Sequence, residues 1–278
     1  MLSYSVIARA ALESAGFGFS HSKGQNFLFD EELLNSIIDA ADIKAGDNVL
    51  EVGPGPGIMT ALMADRGANV RAYEIDKSLA PVLASVLNDR AEVTFADIMK
   101  TDISQVFSEG CKSKDYKIVA NLPYYITTDF VLMALSTEHK PKSITLLLQK
   151  EAAARLLSGV GDAHWCAAAA ITGYFARGRS VFDVPAAAFV PPPHVDSTLV
   201  QLEIRSDRIA PPEEEAGFVA FIKTVFMLRR KTLLNALAAY GKENVKKALN
   251  ALDLGEKTRG ETLPLSEMYK LFSLLKEN

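Results

Sequence analysis

The sequence is poor in the residues that build disulfides and metal sites. It contains only two cysteines, Cys111 and Cys166, which are far apart and form no Cys-x-x-Cys pair. Its four histidines show no ligand spacing either. A disulfide framework and a thiolate metal site are therefore disfavoured, and we expect no bound metal ion.

Long apolar runs are also missing. None approaches the roughly 20 residues that a helix needs to span a bilayer. The segment Leu2–Ala15 carries Arg9 and Glu13 among its apolar residues, which indicates an amphipathic helix rather than a signal peptide. We therefore expect a cytoplasmic protein that does not interact with a membrane. With 278 residues, of which 49% are hydrophobic, the chain is long enough for one large and one small domain.

The chain has no overall excess of positive charge, since its formal net charge is −4. The charge is unevenly distributed, however. Between Lys223 and Lys247 there are seven basic residues and one acidic residue, and the basic residues include Arg229, Arg230 and Lys231. A local basic stretch of this kind is typical of a nucleic-acid contact, although charge runs in general are more often ordinary solvated helix faces.

A glycine-rich turn follows the first strand of the predicted sheet. The run Val49–Gly57 predicts a strand that ends in this turn, and a helix follows from Ile58. Gly53 and Gly55 allow a ligand to approach the backbone closely, and the helix N-terminus adds a positive partial charge. The third glycine of the dinucleotide fingerprint is replaced by Ile58. This departure disfavours an NAD-dependent oxidoreductase.

Acidic residues mark the ends of the neighbouring strands. Glu74 lies 21 residues after Gly53, at the tip of the second predicted strand, where a carboxylate suits a pair of ribose hydroxyls. Asp97 ends a third short strand and can accept a hydrogen bond from an adenine amino group, although acids at strand ends also commonly cap the next helix. Glu51, within the first strand, is suited to orient a ligand ammonium group through water. The alternative to ligand binding is that this strand, turn and helix have a purely structural role.

The stretch Asn121-Leu122-Pro123-Tyr124-Tyr125 follows a fourth predicted strand, Tyr116–Ala120. The Asn121 side chain offers one acceptor, and a neighbouring backbone carbonyl adds a second. Pro123 stiffens the turn, and Tyr124 supplies a flat ring. Together these groups suit an exocyclic amino group on a planar ring, whereas the simpler interpretation is a turn that closes a strand.

Alternating strands and helices over residues 40–205 predict a doubly wound α/β sheet, with ligands bound at the carboxyl ends of the strands. Two later strand-like runs, Arg179–Val184 and Thr198–Ile204, indicate that the sheet ends with antiparallel strands. The amino-acid composition changes after Arg205, and the remainder of the chain is predicted to be helical. We therefore expect a catalytic domain over residues 1–205, whose first 30 residues include the N-terminal helix, and a small helical domain over residues 206–278.

The chain resembles the ribosomal RNA adenine N6-dimethyltransferases, which modify two adjacent adenines near the 3′ end of small-subunit RNA. The resemblance spans roughly residues 15–275 and is carried, in order, by Lys23–Leu28, Glu51–Gly57, Tyr73–Asp76, Asp97, Asn121–Tyr125, Gln149–Glu151, Phe189–Ser197 and Arg229–Leu237. It implies a class I, Rossmann-like S-adenosylmethionine methyltransferase with a helical C-terminal domain. The expected substrate is small-subunit ribosomal RNA in an immature subunit, modified during ribosome assembly by a monomeric enzyme.

The resemblance also implies roles for individual residues. Around the cofactor, it implies that Asn26 and the backbone of Leu28 contact the methionine end, that Gly53 and Gly55 lie against the cofactor, that Glu74 holds the ribose and that Asp97 binds the adenine amino group. Asn121 would accept from the target amino group, with the Leu122 carbonyl as a second acceptor. Tyr124 would stack on the flipped base and Phe189 would face it from the other side, although a buried loop anchor is an equal alternative for Phe189. Arg229, Arg230 and Lys231 would contact RNA, whereas Gln149–Glu151 has no assigned role.

Three other functions remain as alternatives. A large-subunit ribosomal RNA adenine dimethylase that confers antibiotic resistance shares the same pocket, so the pocket residues do not separate the two. A DNA adenine methyltransferase normally has Asn/Asp-Pro-Pro-Tyr/Phe, from which Leu122 departs. A non-catalytic assembly factor is disfavoured by the intact set of pocket residues.

Overall fold

Two compact units make up the chain. The computed structural model describes residues 2–19, 24–107, 113, 115–123, 125–228 and 231–276. One unit, here called the sheet unit, contains Met1–Ala153 and Gly178–Ile204, and the other, the helical unit, contains Ala154–Arg177 and Arg205–Asn278. The chain therefore leaves the sheet unit and returns to it before the C-terminal helices begin.

Most strands are short and strongly apolar. Within the described residues they are β1 (Phe27–Leu28), β2 (Asn48–Val52), β3 (Asn69–Tyr73), β4 (Glu92–Thr94), β5 (Tyr116–Asn121), β6 (Ser143–Gln149), β7 (Ala176–Val184), β8 (Phe189–Val190) and β9 (Ser197–Ile204). All five residues of β2 are buried. Strands that are buried on both faces show continuous apolar runs, as expected for the centre of a parallel sheet covered by helices.

Seven of these strands form one sheet in the order β4-β3-β2-β5-β6-β9-β7. β2 pairs in parallel with β3 and β5, β3 with β4, and β5 with β6. β9 runs antiparallel to β6. The predicted α/β sheet with an antiparallel finish is therefore confirmed, and the carboxyl ends of β2 to β5 meet at one edge.

The helices alternate with the strands and then continue alone. Within the described residues they are α1 (Tyr4–Ser14), α2 (Glu31–Ala40), α3 (Ile58–Asp65), α4 (Ala80–Leu87), α5 (Thr127–Ser136), α6 (Lys150–Leu156), α7 (Ala167–Phe175), α8 (Glu215–Met227), α9 (Leu233–Ala236), α10 (Lys242–Ala251) and α11 (Leu265–Lys276). α2 begins at Glu31, because the Asp30 carboxylate caps it by accepting from the backbone N–H groups of Glu32 and Leu33. None of the described helices is both long and apolar enough to cross a membrane.

A second, two-stranded sheet fixes the segment before α2. β1 pairs antiparallel with β8, with Phe27 opposite Val190 and Leu28 opposite Phe189. All four of these residues are packed in or against the hydrophobic core of the sheet unit. The N-terminal segment is thereby joined to the proline-rich segment that follows residue 190.

The helical unit includes more of the chain than composition predicts. α7 packs against α8, where the rings of Tyr174 and Phe218 lie 5.2 Å apart. The Trp165 and Phe226 rings lie 5.8 Å apart in an edge-on contact, and Trp165 is a buried core residue. The sequence places a single boundary after residue 205, whereas these apolar contacts group residues 154–177 with the C-terminal helices.

Gly260 is a position where the helical unit tolerates no side chain. A Cβ atom built on Gly260 would lie 2.8 Å from the Val225 carbonyl oxygen of α8, closer than van der Waals contact allows. We expect Gly260→Ala to lower the free energy of unfolding by about 1–3 kcal/mol, measured by urea denaturation, because α8 must shift to admit the methyl group.

Gly255→Ala is the matched control for this substitution. A Cβ atom at Gly255 meets nothing within 4 Å. We expect this variant to change the free energy of unfolding by about 1 kcal/mol or less, in the stabilising direction. Equal stabilities for the two variants would contradict the packing described around Gly260.

Candidate active site

A cavity opens at the carboxyl ends of the parallel strands. Its empty volume is about 830 Å³, counting the open mouth, which is within the range of roughly 300–1,000 Å³ typical of small-molecule and cofactor sites. The residues that line it are Gly24, Gln25, Asn26, Phe27, Val52, Gly53, Gly55, Tyr73, Glu74, Ile75, Leu79, Ala96, Asp97, Ile98, Met99, Asn121, Pro123, Tyr125 and Ile126. The cavity thus brings together Asn26, Gly53, Gly55, Glu74, Asp97 and Asn121, all of which the sequence singles out.

The glycine-rich turn after β2 forms the floor of the cavity. Gly53 and Gly55 have φ angles of 69° and 56°, in the left-handed region that favours glycine. A Cβ atom on Gly55 would lie 3.0 Å from the Phe27 ring. Gly55 therefore allows the backbone of the turn to approach the segment that follows Gly24.

Glu74 is held by backbone groups from both sides of the cavity. One carboxylate oxygen accepts from the Gly55 N–H at 3.2 Å and the other from the Asp76 N–H at 2.8 Å. The side chain is only 5% exposed. Burial raises its pKa, and the two backbone hydrogen bonds oppose that rise. Each oxygen retains a lone pair, so the carboxylate can still accept a pair of ligand hydroxyls.

Asp97 both caps the next turn and lines the cavity, so the two interpretations of this residue are compatible. Its side chain accepts from the Met99 N–H at 3.0 Å and thereby caps a short 3₁₀ turn. It also lies 3.5 Å from the Lys100 ammonium and lines the cavity. Capping therefore fixes the carboxylate at the cavity wall rather than removing it from the site.

Gln25 lines the cavity and binds a second side chain there. Its side-chain nitrogen donates to Asp76 at 2.6 Å. Both side chains are buried. This bond ties the segment after Gly24 to the loop after β3, on the same side of the cavity as Glu74. The sequence offers no spacing from which this pair can be found.

Asn121 is the last residue of β5 and reaches into the cavity. Its Nδ2 atom donates to the Asn26 carbonyl at 3.0 Å. A carbonyl oxygen only accepts, so this bond fixes the orientation of the amide and leaves Oδ1 as the acceptor. The Asn26 side chain itself donates to the Gly24 carbonyl at 3.3 Å. The N-terminal segment therefore positions the candidate catalytic amide.

Three other predicted residues around Asn121 have different placements. Leu122 as a whole residue is only 2% exposed and lines neither the cavity nor the second one beside it, so its carbonyl stays a predicted acceptor. Tyr124 lies outside the described residues. Phe189 is 2% exposed, packs in the core of the sheet unit and does not line the cavity. Pairing with β1 buries the ring as a loop anchor, which is the alternative that the sequence leaves open, and a role of Phe189 facing the base stays a prediction.

A second cavity lies beside the first and shares Phe27, Gly53 and Asn121 with it. Leu28 and Glu51 also line this second cavity. Within the described part of the chain, neither Glu51 carboxylate oxygen has a hydrogen-bond partner. Burial raises the pKa of Glu51 to about 8, and the nearby Thr60 hydroxyl opposes this rise although it forms no hydrogen bond of normal geometry to any described residue. A buried carboxylate without a partner is costly, so Glu51 is suited to receive a hydrogen-bond donor or a cationic group from a ligand.

Of the three basic residues predicted to contact RNA, only Lys231 lies within the described part of the chain. Lys231 is exposed, and its backbone N–H donates to the Leu228 carbonyl at 2.7 Å. Arg229 and Arg230 lie outside the described residues. Among the described residues, no group of three or more His, Cys, Asp or Glu side chains is arranged to hold a metal ion.

The sheet order, the glycine turn and the acids at the carboxyl edge define a class I methyltransferase. Comparison with solved structures agrees. A dimethyladenosine transferase from Plasmodium falciparum has a TM-score of 0.71 and 26% identity, covering 88% of this chain and 95% of that one. The 23S rRNA methyltransferase ErmE has a TM-score of 0.67 and 25% identity, covering 90% of this chain and 100% of that one.

The sequence comparison identifies the family. The chain belongs to the ribosomal RNA adenine dimethylase family, whose profile matches residues 16–277. A relative named ribosomal RNA small subunit methyltransferase A from Alkaliphilus metalliredigens is 37% identical, covering 93% of this chain and 92% of the relative. The protein of the same name from Clostridioides difficile is 36% identical, covering 96% and 94%.

Methyltransferases of this family use S-adenosylmethionine, and the residues present fit that cofactor. Glu74 has lone pairs that suit the ribose hydroxyls, and Asp97 is an acceptor that suits the adenine amino group. The unpartnered Glu51 carboxylate in the adjoining cavity matches a cationic ammonium group. The acidic residues and the two glycines with left-handed φ angles are thus all compatible with this one ligand.

Glu51 should make stability depend on pH when no cofactor is bound. Its pKa is about 8 in the folded protein and 4.5 as the ordinary value. Between these values the folded state retains a proton that the unfolded chain releases, so stability falls as pH rises. We expect the wild type to lose up to about 1.4 kcal/mol of unfolding free energy per pH unit between pH 5 and 8, relative to Glu51→Gln.

Denaturant unfolding at several pH values measures this difference. Glu13→Gln removes one exposed carboxylate from α1 and controls for the change in net charge. We expect Glu51→Gln to be more stable than the wild type at pH 8, and Glu13→Gln to follow the wild type. Parallel stability curves for the wild type and Glu51→Gln would contradict a buried, unpartnered carboxyl group at this position.

Proposed function

We propose that this chain transfers methyl groups from S-adenosylmethionine to N6 of two adjacent adenines near the 3′ end of small-subunit ribosomal RNA. The observation that carries the proposal is the Asn121 amide, which is fixed by the Asn26 carbonyl so that Oδ1 is an acceptor at the wall of the cavity. Relatives that are 34–38% identical over most of the chain are named ribosomal RNA small subunit methyltransferase A, which supports the small subunit as the source of the substrate.

The strand order supports an assignment of cofactor contacts along the cavity. Asp97 follows β4 and binds the adenine amino group, and Glu74 follows β3 and holds the ribose. Gly53 and Gly55 lie against the cofactor after β2. Asn26 and the backbone of Leu28 hold the methionine end, with Glu51 facing its ammonium group. This order runs across the sheet from β4 towards β5, and Asn121, at the end of β5, is hydrogen-bonded to Asn26, one of the residues that would hold the methionine end.

Asn121 supplies the polar chemistry of the reaction. The N6 lone pair of adenine is delocalised into the ring, which makes this nitrogen a poor nucleophile. Two acceptors, Oδ1 of Asn121 and the Leu122 carbonyl, favour a pyramidal nitrogen and direct its lone pair out of the ring plane. When bound, the cofactor supplies an activated methyl group on its sulfonium. The protein accelerates transfer by positioning and by electrostatic stabilisation rather than by a nucleophilic side chain.

The target adenine has to leave its stack to reach this cavity. We assign Tyr124 to stack on the flipped base, because it directly follows Pro123, which lines the cavity. Phe189 anchors the loop after β7 through its pairing with Leu28. Its contribution to base binding is therefore indirect, through the position of the N-terminal segment.

The helical unit and its basic residues form the proposed contact with ribosomal RNA. The formal charge of the chain is negative, so a local cluster has to provide attraction for a polyanion. Arg229, Arg230 and Lys231 are adjacent in the sequence and follow α8. We propose an immature small ribosomal subunit in the cytoplasm as the substrate and a monomer as the active form.

A large-subunit dimethylase is the second candidate, because the ErmE structure covers this chain with a TM-score of 0.67. Two segments that resemble the small-subunit enzymes, Pro191–Ser197 and Arg229–Leu237, favour the first proposal. Incubation with labelled cofactor and either immature small subunits or naked large-subunit RNA separates the candidates. We expect label in the small subunit and two dimethylated adenines by mass spectrometry. Label confined to large-subunit RNA would contradict the proposal.

Removal of the Asn121 amide should abolish most of the activity. We expect Asn121→Ala to reduce methyl transfer to small subunits by roughly 100-fold or more, the scale of losing a transition-state hydrogen bond. The measurement is single-turnover transfer of labelled methyl groups. Asn35→Ala in α2 is the matched control, because the Asn35 side chain accepts from Arg66 and does not line either cavity.

Folding and cofactor binding distinguish a catalytic loss from a structural one. Calorimetric titration with S-adenosylhomocysteine reports whether the cofactor site of the Asn121→Ala variant remains formed. A variant that binds this probe and transfers methyl groups at the wild-type rate would refute the proposed role of the amide.

Charge reversal should test the RNA contact of the helical unit. We expect Arg229→Glu combined with Arg230→Glu to weaken binding to immature small subunits and to reduce the slope of log affinity against log salt by about 1–2. Lys44→Glu, at an exposed position of the sheet unit, is the control. Unchanged affinity and slope in the double variant would identify residues 229 and 230 as an ordinary solvated surface.

A further inference from the structure

Tyr125 is a large aromatic residue that the cavity exposes to solvent. It lines the cavity, yet 60% of its surface is accessible. Among the described residues its hydroxyl forms no hydrogen bond. The reaction as derived above uses Asn121, Leu122 and Tyr124 and gives Tyr125 no part. An exposed tyrosine ring at the mouth of a binding cavity is the kind of side chain that anchors a planar ligand.

The turn that carries Asn121 also holds Tyr125 in place. The Ile126 N–H donates to the Pro123 carbonyl at 3.2 Å, and the Thr127 hydroxyl donates to the same oxygen at 3.4 Å. A Cβ atom on Gly24 would lie 3.1 Å from Pro123 and 3.8 Å from the Tyr125 ring. The backbone beside Tyr125 is therefore held by the turn, and the ring lies close to Gly24 of the N-terminal segment.

The position of Tyr125 in the sheet order identifies which ligand it faces. Asp97 follows β4, whereas Tyr125 follows β5, three strand spacings away in the order β4-β3-β2-β5. Three spacings correspond to about 14 Å. Tyr125 thus lies at the end of the cavity that carries Asn121, the end assigned to the target base. Ile75, the other large apolar residue exposed at the cavity, adjoins Glu74 at the cofactor end.

We propose that the Tyr125 ring stacks against the nucleobase next to the flipped adenine and so holds the RNA strand at the mouth of the cavity. The inference rests on the proposed function. The occupant is a base because the ring is flat, exposed and adjacent to the amide that binds the target. A flanking nucleotide is a common determinant of position in enzymes that flip bases.

A stacking surface also suits a substrate with two adjacent targets. Every base presents a π-face, so stacking tolerates a change in the neighbouring base. When the first adenine occupies the cavity, the ring meets one neighbour, and when the second adenine occupies it, the ring meets another. The same tyrosine ring can therefore stack against the neighbouring base at either methylation site, and no second stacking residue is needed.

The test compares Tyr125→Leu and Tyr125→Phe with the wild type on undermethylated small subunits. Leucine retains an apolar side chain but removes the flat ring, whereas phenylalanine retains the ring. We expect Tyr125→Leu to raise KM for the subunit or lower kcat/KM by about 5- to 150-fold at both adenines, the range for loss of one base–aromatic stack. Tyr125→Phe should remain close to the wild type. Affinity for S-adenosylhomocysteine, measured by calorimetry, should be unchanged in both variants.

Two further variants separate stacking from other roles. Ile75→Ala should weaken S-adenosylhomocysteine binding, the opposite pattern to Tyr125→Leu. Val6→Ala, at an exposed apolar position of α1 outside the cavity, controls for loss of surface area. Wild-type kcat/KM in Tyr125→Leu, or a loss confined to cofactor affinity, would overturn the inference while leaving the proposed function intact. A wild-type protein that labels no small-subunit RNA would overturn the proposed function and this inference together.

Discussion

The hydrogen bond from Asn121 Nδ2 to the Asn26 carbonyl determines the geometry of the site. It joins the carboxyl end of a central strand to a segment nearly a hundred residues earlier in the chain. That segment is held in turn by the pairing of β1 with β8 and by the bond between Gln25 and Asp76. Each of these contacts orders backbone around the cavity. The amide therefore has its orientation before any ligand arrives, which is the preorganisation that electrostatic catalysis requires.

Much of the fold could be predicted from the sequence. The strands β2, β5 and β6 are short apolar runs bounded by turn residues, and the order of strands and helices predicts a parallel sheet. The domain boundary was harder to predict from the sequence. Composition changes near residue 205, but the grouping of residues 154–177 depends on long-range contacts such as that of Trp165 with Phe226. An alanine-rich helix packs equally well on a sheet or on another helix, so local sequence does not choose between them.

The site was predictable where function depends on the end of a strand. Gly53, Glu74, Asp97 and Asn121 meet because parallel strands place their carboxyl ends together. Phe189 was not predictable, since an aromatic residue before a proline-rich segment is compatible with a cavity wall or a core anchor, and only the pairing with β1 decides. The lack of a hydrogen-bond partner for the Glu51 carboxylate among the residues that the structure describes was likewise not predictable from the sequence. Whether a carboxylate in a strand finds a donor depends on neighbours that spacing alone does not reveal.

The chain crosses between the two units three times, at residues 153/154, 177/178 and 204/205. Neither unit is therefore a single continuous segment. A fragment that ends at residue 205 retains α7 but loses α8, whose Phe218 ring packs against Tyr174 of α7. Such a fragment would carry an uncovered apolar surface and a tendency to aggregate. The enzyme therefore has to be produced as the full chain rather than as an N-terminal fragment. Chimeras that exchange its C-terminal part must also exchange residues 154–177.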